Sequence, residues 1–374
     1  MKILQITNSF FPVIGGQEKV VLELSKGLSK MGHDVTVLTT DYLCKDSMKN
    51  NKKFNFDIVR FKNKYWLAGY GYSKDAMDWL KNNYSKFDII HCHGYNRYLP
   101  EFSLRFLRNK KPTVFSPQGF VHTEKNWVFK KLHDLTIGKF IRHAKFVTAL
   151  TKEEFNHYSK FGINKNKIYE VPGGVDLTKF SKNDNNKLKL FRKKYNLQGD
   201  FILSVGRIHE SKGFQYAIKA IKNTNLKLAI VGKDVGFKKE LEKIIDEERL
   251  HDKVKILEGL SDDEIVSAYN SCFAFVLFSE WEGFGIVVIE AMAAGKPVIV
   301  SNRGSLPYLV KDRRNGLIAR FPSIEDLTKK IKEIEQNKKL RLKLSKESKK
   351  FSSSYSWDNV VKMTEKIYKS ALKK

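Results

Sequence analysis

Long apolar runs are missing from this 374-residue chain. With no stretch of about 18 apolar residues, no membrane-spanning helix is expected. Cysteine is scarce: Cys44, Cys92 and Cys272 lack metal-ligand spacing and cannot all pair, which excludes a disulfide scaffold and fits a reducing compartment. The segment Met1-Lys2-Ile3-Leu4-Gln5-Ile6 has neither the apolar core nor the small-residue cleavage site of a signal peptide. It reads as a strand, and a cytoplasmic protein is expected. No short-period repeat occurs. Acidic residues are under-represented, 41 against 69 Lys and Arg, for a net charge of +28. Divided after Asn186, the chain carries 31 basic and 17 acidic residues before and 38 and 24 after, so each part contributes +14. Such a surface attracts polyanions or anionic lipid headgroups. Nucleic acid is not the expected partner: no stacking platform or groove-reading motif is present, and the charge is not concentrated in one part.

What the chain does have is a globular composition, 41% hydrophobic and 12% aromatic, at a length that calls for two cores. Short β-rich runs alternate with helical patterns. The first set is Lys2–Ile6, Asp34–Leu38, Ile58–Phe61, Ile89–Cys92, Thr113–Phe115, Phe146–Leu150 and Ile168–Val171. The second is Phe201–Val205, Lys227–Val231, Val254–Leu257, Ala274–Phe278, Val298–Val300 and Leu317–Ala319. Strand–helix alternation implies parallel sheets covered on both faces. The polar run Ser181-Lys182-Asn183-Asp184-Asn185-Asn186-Lys187 marks a connection between them. The expectation is α/β: two doubly wound Rossmann-like domains facing across a cleft, 1–180 and 181–357. Ligands of such folds bind beyond the carboxyl ends of the strands, so the strand-end loops are where chemistry is sought.

Four loops qualify. Ser279-Glu280-Trp281-Glu282-Gly283-Phe284-Gly285-Ile286 follows a buried strand and opens a helix that stops at Gly295. Glu282 sits in the loop, while Glu290 falls among Val288, Ile289, Ala291 and Met292, where a carboxylate is costly unless hydrogen-bonded. Two readings of Glu290 stand: a ribose diol as its partner, or a core helix with one salt-bridged Glu. The N–H groups of Phe284, Gly285 and Ile286 would face phosphate or sugar oxygens. In Val205-Gly206-Arg207-Ile208-His209-Glu210-Ser211-Lys212-Gly213, two cations near a helix start suit a diphosphate, with a solvated Arg207–Glu210 pair as the plain alternative. In Phe11-Pro12-Val13-Ile14-Gly15-Gly16-Gln17-Glu18, the glycine pair either admits a phosphate close to the backbone or makes a generic turn. Gly232, in Ile230-Val231-Gly232-Lys233-Asp234, stands between close approach of a nucleotide and a plain turn.

With these motifs in this order, nearly the whole chain resembles the retaining glycosyltransferases of family 4, which have the two-domain GT-B fold. Further shared runs are Gly32-His33-Asp34-Val35, Asp88-Ile89-Ile90-His91-Cys92-His93, Val171-Pro172-Gly173-Gly174-Val175-Asp176, Glu290-Ala291-Met292-Ala293-Ala294-Gly295-Lys296-Pro297-Val298 and Asn315-Gly316-Leu317. The resemblance implies an enzyme that moves a hexose-type sugar from a UDP- or GDP-linked donor to a glycan or lipid-linked acceptor. Arg207 and Lys212 would hold the donor diphosphate and Glu290 the ribose. Glu282 and the Gly283-Phe284-Gly285-Ile286 backbone would contact the transferred sugar, and Gly15 and Gly16 would close over the phosphates. Arg207, Lys212 and Glu282 are the implied catalytic residues. No metal cofactor is implied, in keeping with the lack of an Asp-x-Asp pair beside a strand end. Retention would proceed by front-face attack, the donor phosphate helping to deprotonate the acceptor. Where the family often has a His after the strand Thr113-Val114-Phe115, this chain has Ser116-Pro117-Gln118-Gly119-Phe120-Val121-His122; Gln118, His122 or His93 is left to serve the reaction centre or simply the wall of the site.

The acceptor side carries its own signal. Residues 104–145 hold ten Lys or Arg against Glu124 and Asp134, interleaved with Trp127, Phe129, Leu132 and Phe140. A basic amphipathic segment of this kind reads either as a peripheral membrane contact through 120–145 or as an ordinary helix with a solvated basic face. The tail from Ser356-Trp357-Asp358 through Leu372 resembles the family's final helix, which crosses back to complete the first domain over about 358–374. An epimerase acting on sugar nucleotides through the same fold is the competing enzyme reading.

Overall fold

The computed structural model describes residues 1–13, 15–42, 54–67, 70–118, 127–181 and 184–373. The chain divides into two compact units, Met1–Gly174 with Trp357–Lys374, and Val175–Ser356. The passage from one to the other precedes the polar run at 181–187 that suggested a boundary at 180. The reason is Phe180: the short helix Leu177–Ser181 buries this ring 5.3 Å from that of Tyr269, inside the second unit.

In the first unit, strands β1 (Lys2–Thr7), β2 (Asp34–Thr40), β3 (Asp57–Phe61), β6 (Ile89–His93), β7 (Thr113–Ser116), β8 (Phe146–Ala149) and β9 (Ile168–Glu170) form a parallel sheet in the order β3-β2-β1-β6-β7-β8-β9. A separate hairpin, β4 (Tyr65–Leu67) with β5 (Tyr70–Tyr72), was not anticipated. β1 and β6 are continuously buried, apart from Lys2, because helices cover both faces of a parallel sheet. Leu4, Ile6, Ile90, Cys92 and Phe115 fill one side, and Ile3, Val37, Ile89 and Val114 the other. The second side is closed by the helix Trp357–Leu372, which buries Trp357, Val360, Val361, Ile367 and Tyr368. Full burial of one such aliphatic side chain stabilises by about 1.5–3 kcal/mol. The fit is tight: a Cβ on Gly27 of the helix Gly16–Lys30 would lie 2.4 Å from a Val361 methyl.

The second unit holds β10 (Phe201–Val205), β11 (Lys227–Val231), β12 (Val254–Leu257), β13 (Ala274–Leu277), β14 (Val298–Ser301) and β15 (Leu317–Ala319), all parallel, in the order β12-β11-β10-β13-β14-β15. Its core joins Ile202, Leu228, Val276 and Ile299 to Phe214, Ile218, Leu241 and Leu327 from the covering helices. In both sheets chain order reverses at one junction, β1/β6 and β10/β13. These are the points where ligands of open α/β sheets collect.

Candidate active site

In the second unit the loops leaving β10, β11 and β13 are knitted together by backbone. The Gly206 N–H donates to the Val231 carbonyl at 3.0 Å, and the Ile208 N–H to Lys233 at 2.9 Å. A Cβ on Gly232 would lie 1.7 Å from the Gly206 carbonyl oxygen, so only glycine passes there. This is the fold-level role of Gly232, whatever ligand approaches it. Gly213, at φ +70, would place a Cβ 2.0 Å from the Phe278 carbonyl oxygen. The Glu280 N–H donates to Ser211 at 2.9 Å, and the Ser305 N–H to the Glu282 carbonyl at 3.0 Å.

This framework sets two motif residues in direct contact. Lys212 Nζ lies 2.5 Å from Glu282 Oε1, with both side chains largely buried, and Ser279 Oγ donates to the same oxygen at 3.2 Å. The residues assigned separately to diphosphate and sugar are one ion pair. Arg207 is exposed, and the alternative pair with Glu210 is not formed among the described residues. The β10 loop therefore presents a guanidinium to solvent and, five residues on, a lysine already compensated by a carboxylate.

The helix Ile286–Ala293 follows Gly285, which has φ +91, and no side chain caps its first turn. Its leading N–H groups are the ones a helix leaves for an anion or a sugar hydroxyl. Phe284 and Gly285 precede that turn rather than forming it. Gly283 is half-buried, and Phe284 is buried with its ring 6.1 Å from Tyr355. Glu290 is buried as its apolar neighbours require, and its Oε2 accepts from the Tyr269 hydroxyl at 3.0 Å. That phenol is one partner that helps to satisfy the buried carboxylate. Burial, and then the Glu290 carboxylate, hold the Tyr269 hydroxyl well above its ordinary pKa, so it remains a donor. Nothing local marked Tyr269 as the partner; the two lie 21 residues apart.

In the first unit, Gly15 caps the helix Gly16–Lys30 at φ −112 with no side-chain cap, and a Cβ on Gly16 would meet nothing within 4 Å. Neither glycine is demanded by a left-handed backbone; a Cβ on Gly15 would meet the end of the Glu18 side chain, while Gly16 leaves open space at the helix start. Gln17 anchors this turn at the β1/β6 junction, donating to Thr7 Oγ1 at 3.0 Å and the His93 carbonyl at 3.3 Å. His93 is fully buried. Its Nε2 is 2.5 Å from Gln5 Oε1 and its Nδ1 is 3.0 Å from Gln118 Nε2. With Gln118 donating, Nδ1 is the acceptor and Nε2 carries the proton. Burial lowers the His93 pKa to about 3. Two of the three reaction-centre candidates are thus joined: His93 is a neutral spacer that holds Gln118, itself at φ +55. Among the described residues Gln118 Oε1 is buried without a partner. His122 lies outside the described residues.

Behind His93, the His91 ring, 3.8 Å away between centroids, bonds Tyr368 at 2.6 Å and Ser116 at 2.6 Å. Gln5 also donates to Tyr368, at 3.0 Å. Gln5, a polar residue inside the otherwise apolar strand β1, was a legible sign of this network; Tyr368 gave none. Burial raises the Cys92 thiol and pushes Cys272 up to about 11, so both stay protonated. No helix among the described residues is long and apolar enough to cross a membrane.

The fold and its motif loops define a GT-B protein, and comparison with known proteins agrees. The model of the Glycosyltransferase Family 4 domain matches residues 14–179, and that of Glycosyl transferases group 1 matches residues 186–351. A crystal structure of Anabaena HepE in complex with UDP and glucose superposes with a TM-score of 0.80 over 99% of both chains at 18% identity. An uncharacterized glycosyltransferase of Methanocaldococcus jannaschii is 26% identical over 100% of this chain and 99% of its own. The GDP-mannose:cellobiosyl-diphosphopolyprenol alpha-mannosyltransferase of Xanthomonas oryzae is 24% identical over 87% of this chain and 85% of its own. The chain belongs to the family 4, group 1 glycosyltransferases and is a transferase enzyme.

Proposed function

We propose that the protein is a retaining, metal-independent glycosyltransferase that moves a hexose-type sugar from a UDP- or GDP-linked donor to a glycan or lipid-linked acceptor. The observation that carries this reading is the Lys212–Glu282 pair, which joins the loop after β10 that carries exposed Arg207 to the loop after β13 that leads into the uncapped helix Ile286–Ala293. The donor diphosphate approaches Arg207 and draws Lys212 toward it. Glu282, released in part from Lys212, accepts from hydroxyls of the donor sugar. Glu290, kept ionisable-side inward by Tyr269, turns to the ribose. As the bond from C1 to the diphosphate oxygen breaks, the two cations neutralise the leaving group, the work a divalent ion does elsewhere. The acceptor hydroxyl forms its bond to C1 on the same face and passes its proton to a leaving phosphate oxygen, so no protein nucleophile is needed.

For a lipid-linked acceptor, support comes from the relative that by name acts on a diphosphopolyprenol. The described part of the basic segment adds to it. Leu132 and Leu135 are 59% and 55% exposed, next to exposed Lys131 and Lys139, as in a helix lying on an anionic bilayer. The side chains of Trp127 and Phe129, and residues 120–126 altogether, lie outside the described residues.

A panel of UDP- and GDP-sugars offered with lipid-linked and soluble glycan acceptors tests the reading. Transfer with the donor's anomeric configuration kept, read by NMR, and unaffected by a chelator is the expected outcome. Inverted product would refute the front-face step. Activity abolished by EDTA and restored by Mg²⁺ would refute the cationic clamp. Release of an epimer without acceptor would favour the epimerase.

A further inference from the structure

Because all strands of the first sheet run parallel, their amino ends share one edge, opposite the loops described above. A cavity of about 800 Å³ opens at that edge, between the approaches to β6, β7, β8 and β9 and the end of the carboxyl-terminal helix. Seven cationic side chains line it against one carboxylate, Asp88. Lys111 precedes β7, Lys145 precedes β8, Lys167 precedes β9, and Lys373 follows the last helix. Arg108 and Arg142 complete the wall.

None of these cations is ion-paired among the described residues. Where they are held, neutral groups hold them: Lys110 lies 3.7 Å from the centre of the Phe106 ring, and backbone carbonyls take others. Lys145 donates to the Lys373 carbonyl at 2.9 Å, Arg142 to Phe161 at 2.7 Å and Lys111 to Ser85 at 3.1 Å. The Arg108 and Lys167 side chains are exposed and make no hydrogen bond among the described residues. Asp88 is committed to the Lys2 N–H at 2.7 Å. Concentrating like charge in this way disfavours the compact state unless an anion answers it. His143, in the same wall, registers the field: burial first, then the charges of Arg108 and Arg105, lower its pKa.

We propose that this cavity is a binding site for a multiply charged phosphate anion, separate from the donor site. Its ligand chemistry is two or more phosphate oxygens engaged by guanidinium and ammonium groups from four chain segments, with the bidentate Arg forks supplying geometry. Two sources carry that chemistry, a free polyphosphate or an anionic phospholipid headgroup. The second would tether the first unit to a membrane surface by a route independent of Leu132 and Leu135.

Isothermal titration with inorganic pyrophosphate at low salt tests the site. The full chain carries Arg207→Ala and Lys212→Ala, so that the donor site is silenced. One saturable site is expected, weakened about tenfold or more by adding Arg108→Ser and Lys167→Ser, a loss in the range of one to two charge-assisted contacts. Those two side chains make no hydrogen bond to the fold, so an unchanged melting temperature checks that folding is not the cause. Absence of binding, or equal binding by both proteins, overturns the proposal. A second arm sets the source. Co-sedimentation with phosphatidylglycerol vesicles that pyrophosphate displaces, and that Arg108→Ser with Lys167→Ser removes, identifies the headgroup. Vesicle binding unaffected by either, alongside lost pyrophosphate binding, identifies the free anion. Because the readout is binding and not transfer, its failure leaves the donor-site reading untouched, and the reverse also holds.

Discussion

Glycines open the motif loops of both units, but for different physical reasons. In the second unit Gly232 and Gly213 are steric necessities: a Cβ would sit 1.7 Å and 2.0 Å from neighbouring carbonyl oxygens. In the first, Gly15 has an ordinary φ and the Cβ position of Gly16 is empty. The second unit's loops are therefore built against each other before any ligand arrives. In the first unit Gly16 leaves room in front of a helix end, while a Cβ on Gly15 would meet the end of the Glu18 side chain. A side chain is excluded in the second unit by neighbouring backbone and at Gly16 only by what binds.

Gly232→Ala is the strongest way to break this comparison. It should cost about 4 kcal/mol or more, the scale of a buried steric conflict that nothing flexible can absorb. Urea denaturation of the variant measures it, and a loss below about 1 kcal/mol would mean that the loops yield and are not mutually fixed. Next in size are Arg207→Ala and Lys212→Ala. Each should lower turnover about 100-fold, equivalent to about 2.7 kcal/mol, with the melting temperature kept. Near-normal turnover in both variants removes them from the reaction.

The first unit's rigidity lies instead in its buried histidines, and pH exposes it. His93 has a folded-state pKa near 3, below its ordinary 6.5. Below pH 6.5 the unfolded chain takes up a proton that the folded chain refuses. The contribution is complete above that pH and lost as pH falls toward 3, at about 1.4 kcal/mol per unit for one proton. His91, also lowered by burial, acts in the same direction. Urea midpoints from pH 7 to 4.5 should fall steeply, and His93→Asn should flatten that slope by about one proton. An unchanged slope would place the uptake elsewhere. The smallest effect on stability is expected of Gly16→Ala: no loss, or a gain of up to about 1 kcal/mol from a less flexible unfolded chain. Its donor affinity should nevertheless drop. Affinity retained with stability retained would make the pair a plain turn, and the contrast between the units would end.

Much of the fold was legible because parallel sheets leave a strong local mark. Runs such as Phe201–Val205 and Lys227–Val231 are apolar throughout and bounded by turn residues, and those two strands occupy the ranges their sequence suggested. Less local features were harder. The Tyr65–Leu67 and Tyr70–Tyr72 hairpin was missed because three-residue strands barely carry a period. The polar run at 181–187 drew the boundary too far along, because a single buried ring, Phe180, outweighs the polarity around it.

The sequence by itself determined two parallel α/β units, the strand-end loops that carry Arg207, Lys212 and Glu282, the helix that carries Glu290, and membership of the glycosyltransferases. These follow from hydrophobic period, turn residues and motif order, all written along the chain. Tertiary structure alone decided who meets whom. Lys212 and Glu282 pair across 70 residues, and Tyr269 reaches Glu290. Gln118 rests on His93, and the Arg108, Arg142, Lys145 and Lys167 side chains gather around one cavity. Contacts of this kind depend on which strands lie side by side and where their ends emerge. That order is fixed by the packing of the whole sheet, and a local residue pattern carries no trace of it.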